Sequence, residues 1–315
     1  MFQASDGVTL HVEDTGDATA PVTVLLAHGW TSDNRVWDAV FPRLAERYRV
    51  IRFDQRGHGS SAPGPDATLD RLGDDLAELI TELAPTGKLV LVGHSMGGMS
   101  MMALAARHPD LVRTRVHAAF FVSTSSGRMR EITFGLPRPV AKAAQALLRR
   151  RKPGRATSTP GHPTRTGPAA VAGTARAGSA ETAVAATAPK GPRRPPTKLQ
   201  ARAHRAFLRW LLFGARYQRP DLLSVADQLR VVHRRSAASL RSSINRHAAA
   251  EALAVYRDIP TQVLTGERDR LIPADHSRVI ARELPTAELV VYRRAGHMLP
   301  YERVDDLVSR ITAAV

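Results

Sequence analysis

The chain alternates between two patterns of apolar residues along most of its length. Short apolar runs bounded by turn residues recur, the first alternating with polar residues and the others continuous, as in strands of a parallel sheet. They are VTLHVE at 8–13, VTVLLA at 22–27, RVIRFD at 49–54, KLVLVG at 88–93, VHAAFFV at 116–122, TQVLTG at 261–266 and ELVVYR at 288–293. Helical patterns separate them, at 34–47, 66–84, 96–108, 275–284 and 302–314. This alternation predicts an α/β fold with a doubly wound, mostly parallel sheet.

The alternation is interrupted in the middle of the chain. Residues 153–198 are rich in Pro, Gly, Ala, Thr and Arg, and they contain too few large apolar side chains to offset the entropy of ordering. We therefore predict that about 153–198 is a basic disordered segment. Helical patterns follow at about 204–217 and 221–255. The predicted organisation is a core of residues 1–125 and 258–315 with a helical cap insertion at 126–257.

The positive charge of the chain is concentrated in this insertion. The net charge is +16, and the stretch from Arg128 to Arg205 holds 17 Lys or Arg against two acidic residues. Three interpretations of the basic stretch stay open, namely a tolerated solvated loop, contact with an anionic membrane surface, and nucleic-acid binding. Nucleic acid is the least favoured partner, because the stretch lacks aromatic residues for base stacking and a recognisable binding module.

The composition excludes several classes of protein. The absence of cysteine rules out a disulfide scaffold, an iron–sulfur protein and a cysteine hydrolase. No run approaches the roughly 18 apolar residues of a transmembrane helix. Residues 1–5 lead directly into a strand-like segment, so we expect no secretory signal. H-E-x-x-H and G-x-G-x-x-G are absent, so neither a metal nor a dinucleotide cofactor is expected. We expect a cytoplasmic protein, either free or peripheral at a membrane.

The strongest chemical signal is a G-x-S-x-G motif at Gly93-His94-Ser95-Met96-Gly97. It directly follows the strand-like run KLVLV and precedes a helical pattern, which is the context that gives this motif meaning. The glycines keep side chains out of a tight turn, and the serine hydroxyl projects at a helix N-terminus, which favours negative charge. The motif predicts that Ser95 is a nucleophile.

A nucleophilic serine needs a base, and the base needs an orienting acid. His297 follows the last strand-like run and Asp269 follows TQVLTG, so both belong to loops at the carboxyl edge of the sheet. Glu267 and Asp275 compete locally for the role of the acid. The order Ser95, Asp269, His297 is that expected of this arrangement.

Two backbone N–H groups are expected to bind the oxyanion that forms during acyl transfer. One is that of Met96, immediately after the nucleophile, and the other is that of Trp30, in the loop after VTVLLA. His28 lies in the same loop, directly before Gly29, and is expected to form structural hydrogen bonds.

Four blocks of sequence together resemble the capped serine hydrolases of the α/β-hydrolase superfamily. They are HGW at 28–30, FDQRGHGSS at 53–61, GHSMGG at 93–98, and TGERDRLIP with AGHM at 265–273 and 295–298. The resemblance covers the predicted core and implies the α/β-hydrolase fold, with the cap at 126–257. It also implies that residues 54–60 form a structural loop at the site entrance. The basic segment has no counterpart in the family that we can name.

The nucleophile type narrows the reaction that this resemblance implies. Similar dehalogenases and epoxide hydrolases use a carboxylate at the elbow, so Ser95 disfavours those reactions. Serine with a histidine base favours cleavage of an ester, thioester or lactone of a small-to-medium apolar acyl group through an acyl-enzyme. Phe207, Trp210, Leu211 and Phe213 either line the substrate pocket or pack the cap onto the core.

Three alternatives to a soluble esterase stay open. Cofactor-free haloperoxidases or perhydrolases and carbon–carbon bond hydrolases resemble this family and carry the same triad. A non-catalytic ligand-binding protein on the same fold is a second alternative, although a pure binder does not need all three triad residues. The third is a lipase that docks on anionic lipid through its basic segment.

Overall fold

A seven-stranded sheet forms the centre of the computed structural model, which describes residues 1–133 and 197–315 apart from Gly16, Ala18 and Asp66. Its strands are β3 Val12–Thr15, β4 Val22–Ala27, β5 Arg49–Phe53, β6 Lys88–His94, β7 Val116–Val122, β8 Thr261–Gly266 and β9 Glu288–Tyr292. Their order is β3-β5-β4-β6-β7-β8-β9, and only β3 runs antiparallel to its neighbour. The predicted doubly wound, mostly parallel sheet is confirmed. A separate hairpin pairs β1 Phe2–Gln3 with β2 Thr9–Leu10.

Helices follow most of the strands. They are α1 Phe41–Ala45, α2 Leu69–Leu83, α3 Met96–Arg107, α4 Pro109–Arg115, α5 Lys198–Leu212, α6 Arg219–Val231, α7 Arg234–Arg246, α8 Ala274–Glu283, α9 Leu299–Glu302 and α10 Val304–Ala313. Short 3-10 turns occur at Asn34–Trp37, Met129–Glu131 and Glu251–Tyr256. The connections between parallel strands therefore carry helices, as a doubly wound sheet requires.

Both faces of the sheet are buried, which explains the continuous apolar runs. In β4, Val24 and Leu26 belong to one core cluster, whereas Leu25 and Ala27 belong to the cluster on the opposite face. All six residues of β4 are buried. A strand covered on both faces has no polar face, so it shows no alternation in its sequence.

The structure corrects two predicted helices and confirms the one predicted at 302–314, which is α10 and follows the separate short helix α9. The pattern at 34–47 is a 3-10 turn followed by the five residues of α1. The pattern at 221–255 is divided into α6, α7 and a 3-10 turn. The break at Val232 and His233 is extended, and the His233 N–H donates to the Gly57 carbonyl at 2.8 Å. A hydrogen bond to the core therefore replaces the helical one.

Only part of the predicted insertion is described. Residues 134–196, which include nearly all of the segment predicted to be disordered, lie outside the described residues. Thr197 caps α5 by accepting a hydrogen bond from the Gln200 N–H, so this helix begins earlier than the pattern at 204–217 predicted. No helix in the described part of the chain is long and apolar enough to cross a membrane. The boundaries of core and cap stay a prediction.

Candidate active site

Ser95 lies in the tight turn between β6 and α3. Its backbone has φ 53° and ψ −115°, a conformation that is rare and costly for a residue with a side chain. The turn is held on both sides, because the Ser95 N–H donates to the Val122 carbonyl at 2.8 Å and the Ser95 carbonyl accepts from Thr124 Oγ1 at 2.6 Å. Ser95 is 7% exposed, so its environment is enclosed.

The glycines of the motif are required by close backbone approach. A Cβ on Gly97 would overlap the Ala27 carbonyl oxygen, and one on Gly93 would lie 2.5 Å from the Gly98 nitrogen. Gly29, in the loop after β4, is close enough that its Cβ would lie 3.1 Å from the Ser95 Cβ. The turn is therefore packed directly against the loop that was predicted to supply an oxyanion donor.

Asp269 and His297 form a buried hydrogen-bonded pair. His297 Nδ1 lies 2.7 Å from Asp269 Oδ2, and the two residues are 2% and 5% exposed. Asp269 Oδ1 accepts from the N–H groups of Leu271 and Ile272 at 2.9 and 2.7 Å. With the Nδ1 proton directed at the carboxylate, Nε2 is left as the basic nitrogen of the ring.

The two competing carboxylates contact other groups. Glu267 Oε2 accepts from the Arg294 N–H at 3.1 Å, and Asp275 forms an ion pair with Arg278 at 2.7 Å. Among Asp269, Glu267 and Asp275, only Asp269 is hydrogen bonded to His297 in the part of the chain that the structure describes.

His94 connects the Ser95 turn to the His297 loop. Its Nε2 donates to the His297 carbonyl at 3.0 Å, and the two rings are 4.9 Å apart between centroids. Burial, together with the neighbouring His297, lowers the pKa of His94 to about 3, so its imidazole is neutral. Within residues 1–133 and 197–315, no hydrogen bond joins Ser95 Oγ to His297. Such bonds are often long without substrate and shorten in the reacting complex.

The two predicted oxyanion donors have no competing protein acceptor. Across the described residues, neither the Trp30 N–H nor the Met96 N–H donates to a protein atom. Met96 is the first residue of α3, where backbone N–H groups lack helical acceptors. The Trp30 side chain is fixed separately, since its Nε1 donates to the Ala237 carbonyl of α7 at 3.0 Å.

Two buried histidines hold the loop that carries Trp30. Burial lowers the pKa of His28 to about 4 and that of His58 to about 3, so both rings are neutral. His28 Nε2 accepts from the Gln55 N–H at 2.8 Å, and His58 Nε2 accepts from the Thr31 N–H at 3.2 Å. These contacts join the loop after β4 to the loop after β5, which is the structural role expected of His28.

Sequence reasoning missed an apolar cluster around the predicted oxyanion donors. The cluster contains Met96 and Met99 of α3, and Trp30 packs against it. Its other buried members come from distant segments and are Ala67, Leu69, Leu72, Ile132, Leu240, Ile244 and Ile272. The only local signal was the four-residue spacing of Leu240 and Ile244 on α7, which shows an apolar face but not its partner.

The four residues considered for a pocket lie in different environments. Phe207 and Trp210 of α5 are 53% and 39% exposed, and the centroids of their rings are 6.1 Å apart. Phe213 is 2% exposed and packs against the rings of Tyr217 and Tyr301, and Leu211 packs against the same core cluster. Phe213 and Leu211 pack against the core, and a pocket role for any of the four residues stays a prediction.

A second contact between a serine and a histidine joins Ser125, in the loop after β7, to His276 of α8. Ser125 Oγ is 2.7 Å from His276 Nδ1 and donates to the Gly127 carbonyl at 2.6 Å. Ser125 does not directly precede a helix, unlike Ser95. The described residues contain no group of three or more His, Asp or Glu arranged to hold a metal ion.

Comparison with known proteins connects this geometry to a family. A family model of the α/β hydrolase fold matches residues 22–304, and several similar proteins are named as hydrolases or esterases. The chain is 40% identical over 114 residues to 2-(acetamidomethylene)succinate hydrolase of Mesorhizobium japonicum, a match that covers 36% of this chain and 40% of the relative.

Two further similarities are to a second curated relative and to a solved structure. A bifunctional esterase/perhydrolase of Acinetobacter calcoaceticus is 38% identical over 107 residues, covering 33% of this chain and 38% of the relative. The matches therefore span about two fifths of each of these two curated relatives. The solved structure of a thermophilic esterase from Thermogutta terrifontis superposes with a TM-score of 0.66 at 25% identity, covering 98% of this chain and 94% of that one. The chain belongs to the α/β-hydrolase fold family.

Proposed function

We propose that this protein cleaves carboxylic ester bonds, including thioesters and lactones, of small-to-medium apolar acyl substrates through an acyl-enzyme on Ser95. The observation that carries the proposal is the buried hydrogen bond of 2.7 Å between His297 Nδ1 and Asp269 Oδ2, beside a serine held at φ 53°. A neutral imidazole oriented by a carboxylate is the base that a serine hydroxyl needs, since the hydroxyl alone is a weak nucleophile.

The proposed reaction proceeds in two balanced halves. Ser95 Oγ attacks the carbonyl carbon while His297 Nε2 takes the hydroxyl proton, and the N–H groups of Trp30 and Met96 bind the developing oxyanion. The ester C–O bond then breaks, the proton passes to the leaving alkoxide, and the acyl group stays on Ser95. Water repeats the sequence, releasing the acid and returning the proton to Ser95. Each oxyanion donor is expected to lower the barrier by about 3 kcal/mol.

The apolar cluster around Met96 supports an apolar acyl group as the substrate. Leu240, Ile244 and Ile272 lie in the same cluster as Met96, one residue after the proposed nucleophile. Burying an alkyl chain among such side chains is favourable by about 0.8 kcal/mol per methylene. The proposal therefore includes a dependence on acyl chain length.

Hydrolysis of p-nitrophenyl esters from acetate to palmitate tests this function. We expect activity that peaks at one chain length in wild type and is lost in Ser95→Ala. Ser125→Ala is the matched control, because it removes another buried serine, one whose hydroxyl contacts His276 Nδ1, and it should retain activity. Activity that survives in Ser95→Ala, or is lost only in Ser125→Ala, would contradict the assigned nucleophile.

The same assay separates the alternative reactions. Acetate-dependent perhydrolysis with hydrogen peroxide, without ester hydrolysis, would favour the perhydrolase alternative, which one relative's name includes. A folded protein that catalyses neither ester hydrolysis nor perhydrolysis would favour carbon–carbon bond hydrolysis or ligand binding by the same three residues. Cytoplasmic localisation and contact of the basic segment with membranes stay predictions.

We propose lipid ester hydrolysis at an anionic membrane surface as a second candidate, favoured by the outer face of α5. That helix contains no acidic residue, and its Leu199, Phe207 and Trp210 are 77%, 53% and 39% exposed. Arg202 and Arg205 form no ion pair within the described residues. Basic helices with exposed Trp, Phe and Leu are typical of segments that bind lipid interfaces.

Co-sedimentation with vesicles tests this second candidate. We compare vesicles of phosphatidylcholine with vesicles of equal parts phosphatidylcholine and phosphatidylglycerol. The double variant Phe207→Ser/Trp210→Ser keeps every charge and should bind the anionic vesicles roughly tenfold more weakly. Leu223→Ser/Val231→Ser, which alters two exposed apolar residues of α6, is the control and should bind as wild type. Equal binding by both double variants would contradict docking through α5.

A further inference from the structure

The loop that carries His297 is hydrogen bonded to the end of α5. The Leu212 carbonyl, in the last turn of that helix, accepts from the His297 N–H at 2.7 Å and from the Met298 N–H at 3.2 Å. Three residues further along, the Ala215 N–H donates to the Arg294 carbonyl at 2.7 Å. The backbone on both sides of the proposed base is thus paired with a segment more than 75 residues away in the chain.

A single carboxylate bridges these two segments. Glu302 Oε2 accepts from the Gly214 N–H and Glu302 Oε1 accepts from the Gly296 N–H, each at 2.8 Å. Gly214 directly follows Phe213 at the end of α5, and Gly296 directly precedes His297. One side chain therefore satisfies a backbone donor on the helical segment and another on the histidine loop.

The two glycines allow the segments to approach this closely. A Cβ on Gly214 would overlap the Arg294 carbonyl oxygen, and a Cβ on Gly296 would lie 2.6 Å from the Gly214 nitrogen. Neither glycine has a positive φ, so close approach rather than backbone conformation explains their presence. Any larger residue would separate the segments and move the donors away from Glu302.

Burial makes the Glu302 carboxyl a weaker acid than usual, because it raises the pKa to about 7. The two N–H groups and Arg303 lower this pKa, whereas Asp269 raises it. Asp269 and Arg303 are the charged groups that act on it. A side chain that changes charge near neutral pH is therefore placed at the junction between α5 and the His297 loop.

We propose that Glu302 is a positioning residue, which holds the His297 loop against the end of α5 so that the imidazole stays aligned with Asp269 and with the Ser95 turn. The role of His297 as the base rests on the proposed function. Glu302 itself touches no reacting atom. It acts by fixing the backbone on which the imidazole is carried, and it makes the position of α5 and that of His297 depend on each other.

Glu302→Gln is the main test, because an amide nitrogen cannot accept from a backbone N–H. We expect kcat on the best p-nitrophenyl ester to fall roughly tenfold while KM changes less than about twofold, since a displaced base slows chemistry without altering binding. Glu302→Asp keeps the carboxylate and should recover part of kcat. Glu267→Gln is the matched control, because Glu267 also accepts from this loop, at the Arg294 N–H, but its side chain joins no second segment among the described residues.

A second readout does not depend on hydrolysis. The proton shared by His297 Nδ1 and Asp269 should give a downfield proton NMR resonance, identified by its loss in Asp269→Asn. Glu302→Gln should shift or broaden this resonance, and Glu267→Gln should leave it unchanged. If wild type hydrolyses no ester but the resonance responds in this way, the positioning role stands and the proposed function fails.

Three results would overturn the inference. One is a Glu302→Gln protein with lower thermal stability but wild-type kcat and an unchanged resonance, which would make Glu302 merely structural. Another is an equal loss of kcat in Glu267→Gln. The third is a Glu302→Asp protein with wild-type thermal stability but no better than Glu302→Gln in kcat and in the resonance, which would show that the carboxylate bridge does not position His297.

Discussion

The two halves of the candidate site are held in place in different ways. The turn at Ser95 follows from a local motif, in which Gly93 and Gly97 allow the backbone to fold tightly between β6 and α3. Hydrogen bonds to Val122 and Thr124 of the neighbouring strand and loop hold it there. His297 is fixed by residues distant in the chain, namely Asp269 through its side chain and Leu212 through its backbone carbonyl. A local motif can thus be recognised in a sequence, whereas a base positioned by long-range contacts depends on how distant segments meet.

Asp269→Asn should give the largest effect on the His297 half of this comparison. An amide can present its NH₂ group to His297 Nδ1 and so favour the wrong tautomer, which leaves Nε2 protonated and unable to act as a base. We expect kcat for ester hydrolysis to fall on the order of 10⁴-fold with little change in the fold. Steady-state kinetics together with far-UV circular dichroism check this expectation, and a loss below about tenfold would argue against Asp269 as the orienting acid.

Gly97→Ala should disturb the Ser95 turn, and Gly214→Ala should disturb the contact between α5 and the His297 loop. Each added Cβ meets a carbonyl oxygen, that of Ala27 in the Ser95 turn and that of Arg294 at the end of α5. We expect both to lower the free energy of unfolding by about 2–4 kcal/mol, measured by urea denaturation. The His297–Asp269 proton resonance should change only in Gly214→Ala. A change of equal size in Gly97→Ala would show that the two halves are not held independently.

The pH dependence of stability should reveal Glu302. Its pKa is raised from 4.5 to about 7 in the folded protein, so between these values the folded state binds more protons than the unfolded state. This group therefore makes the free energy of unfolding decrease as pH rises from about 4.5 to about 7, by about 3 kcal/mol. Glu302→Gln should show a smaller decrease over that window. Identical pH profiles for the two proteins would contradict the raised pKa.

Trp30→Phe should have the smallest effect. It removes the hydrogen bond from Trp30 Nε1 to the Ala237 carbonyl but keeps the backbone N–H that is proposed to bind the oxyanion. We expect a loss of about 1 kcal/mol in the free energy of unfolding and a change in kcat of less than about tenfold. A much larger loss of kcat would mean that the indole itself takes part in the reaction.

The sequence predicted the sheet and the position of the serine turn because both depend on local patterns. The continuous apolar run of β4 showed burial on both faces, and the G-x-S-x-G context indicated a strand followed by a helix. The division of the pattern at 221–255 could not be predicted, since the break at His233 depends on a hydrogen bond to Gly57. The apolar cluster around Met96 and the bridge at Glu302 likewise depend on segments that meet only in the folded chain.

Covalent labelling of the serine tests the central claim most directly. Wild type is incubated with a fluorophosphonate, which reacts with a serine only when a neighbouring base activates it, and the modified peptide is identified by mass spectrometry. The account predicts one adduct, on Ser95, formed far more slowly in His297→Gln and absent in Ser95→Ala. An adduct on Ser125, or labelling of Ser95 at an equal rate in His297→Gln, would contradict it.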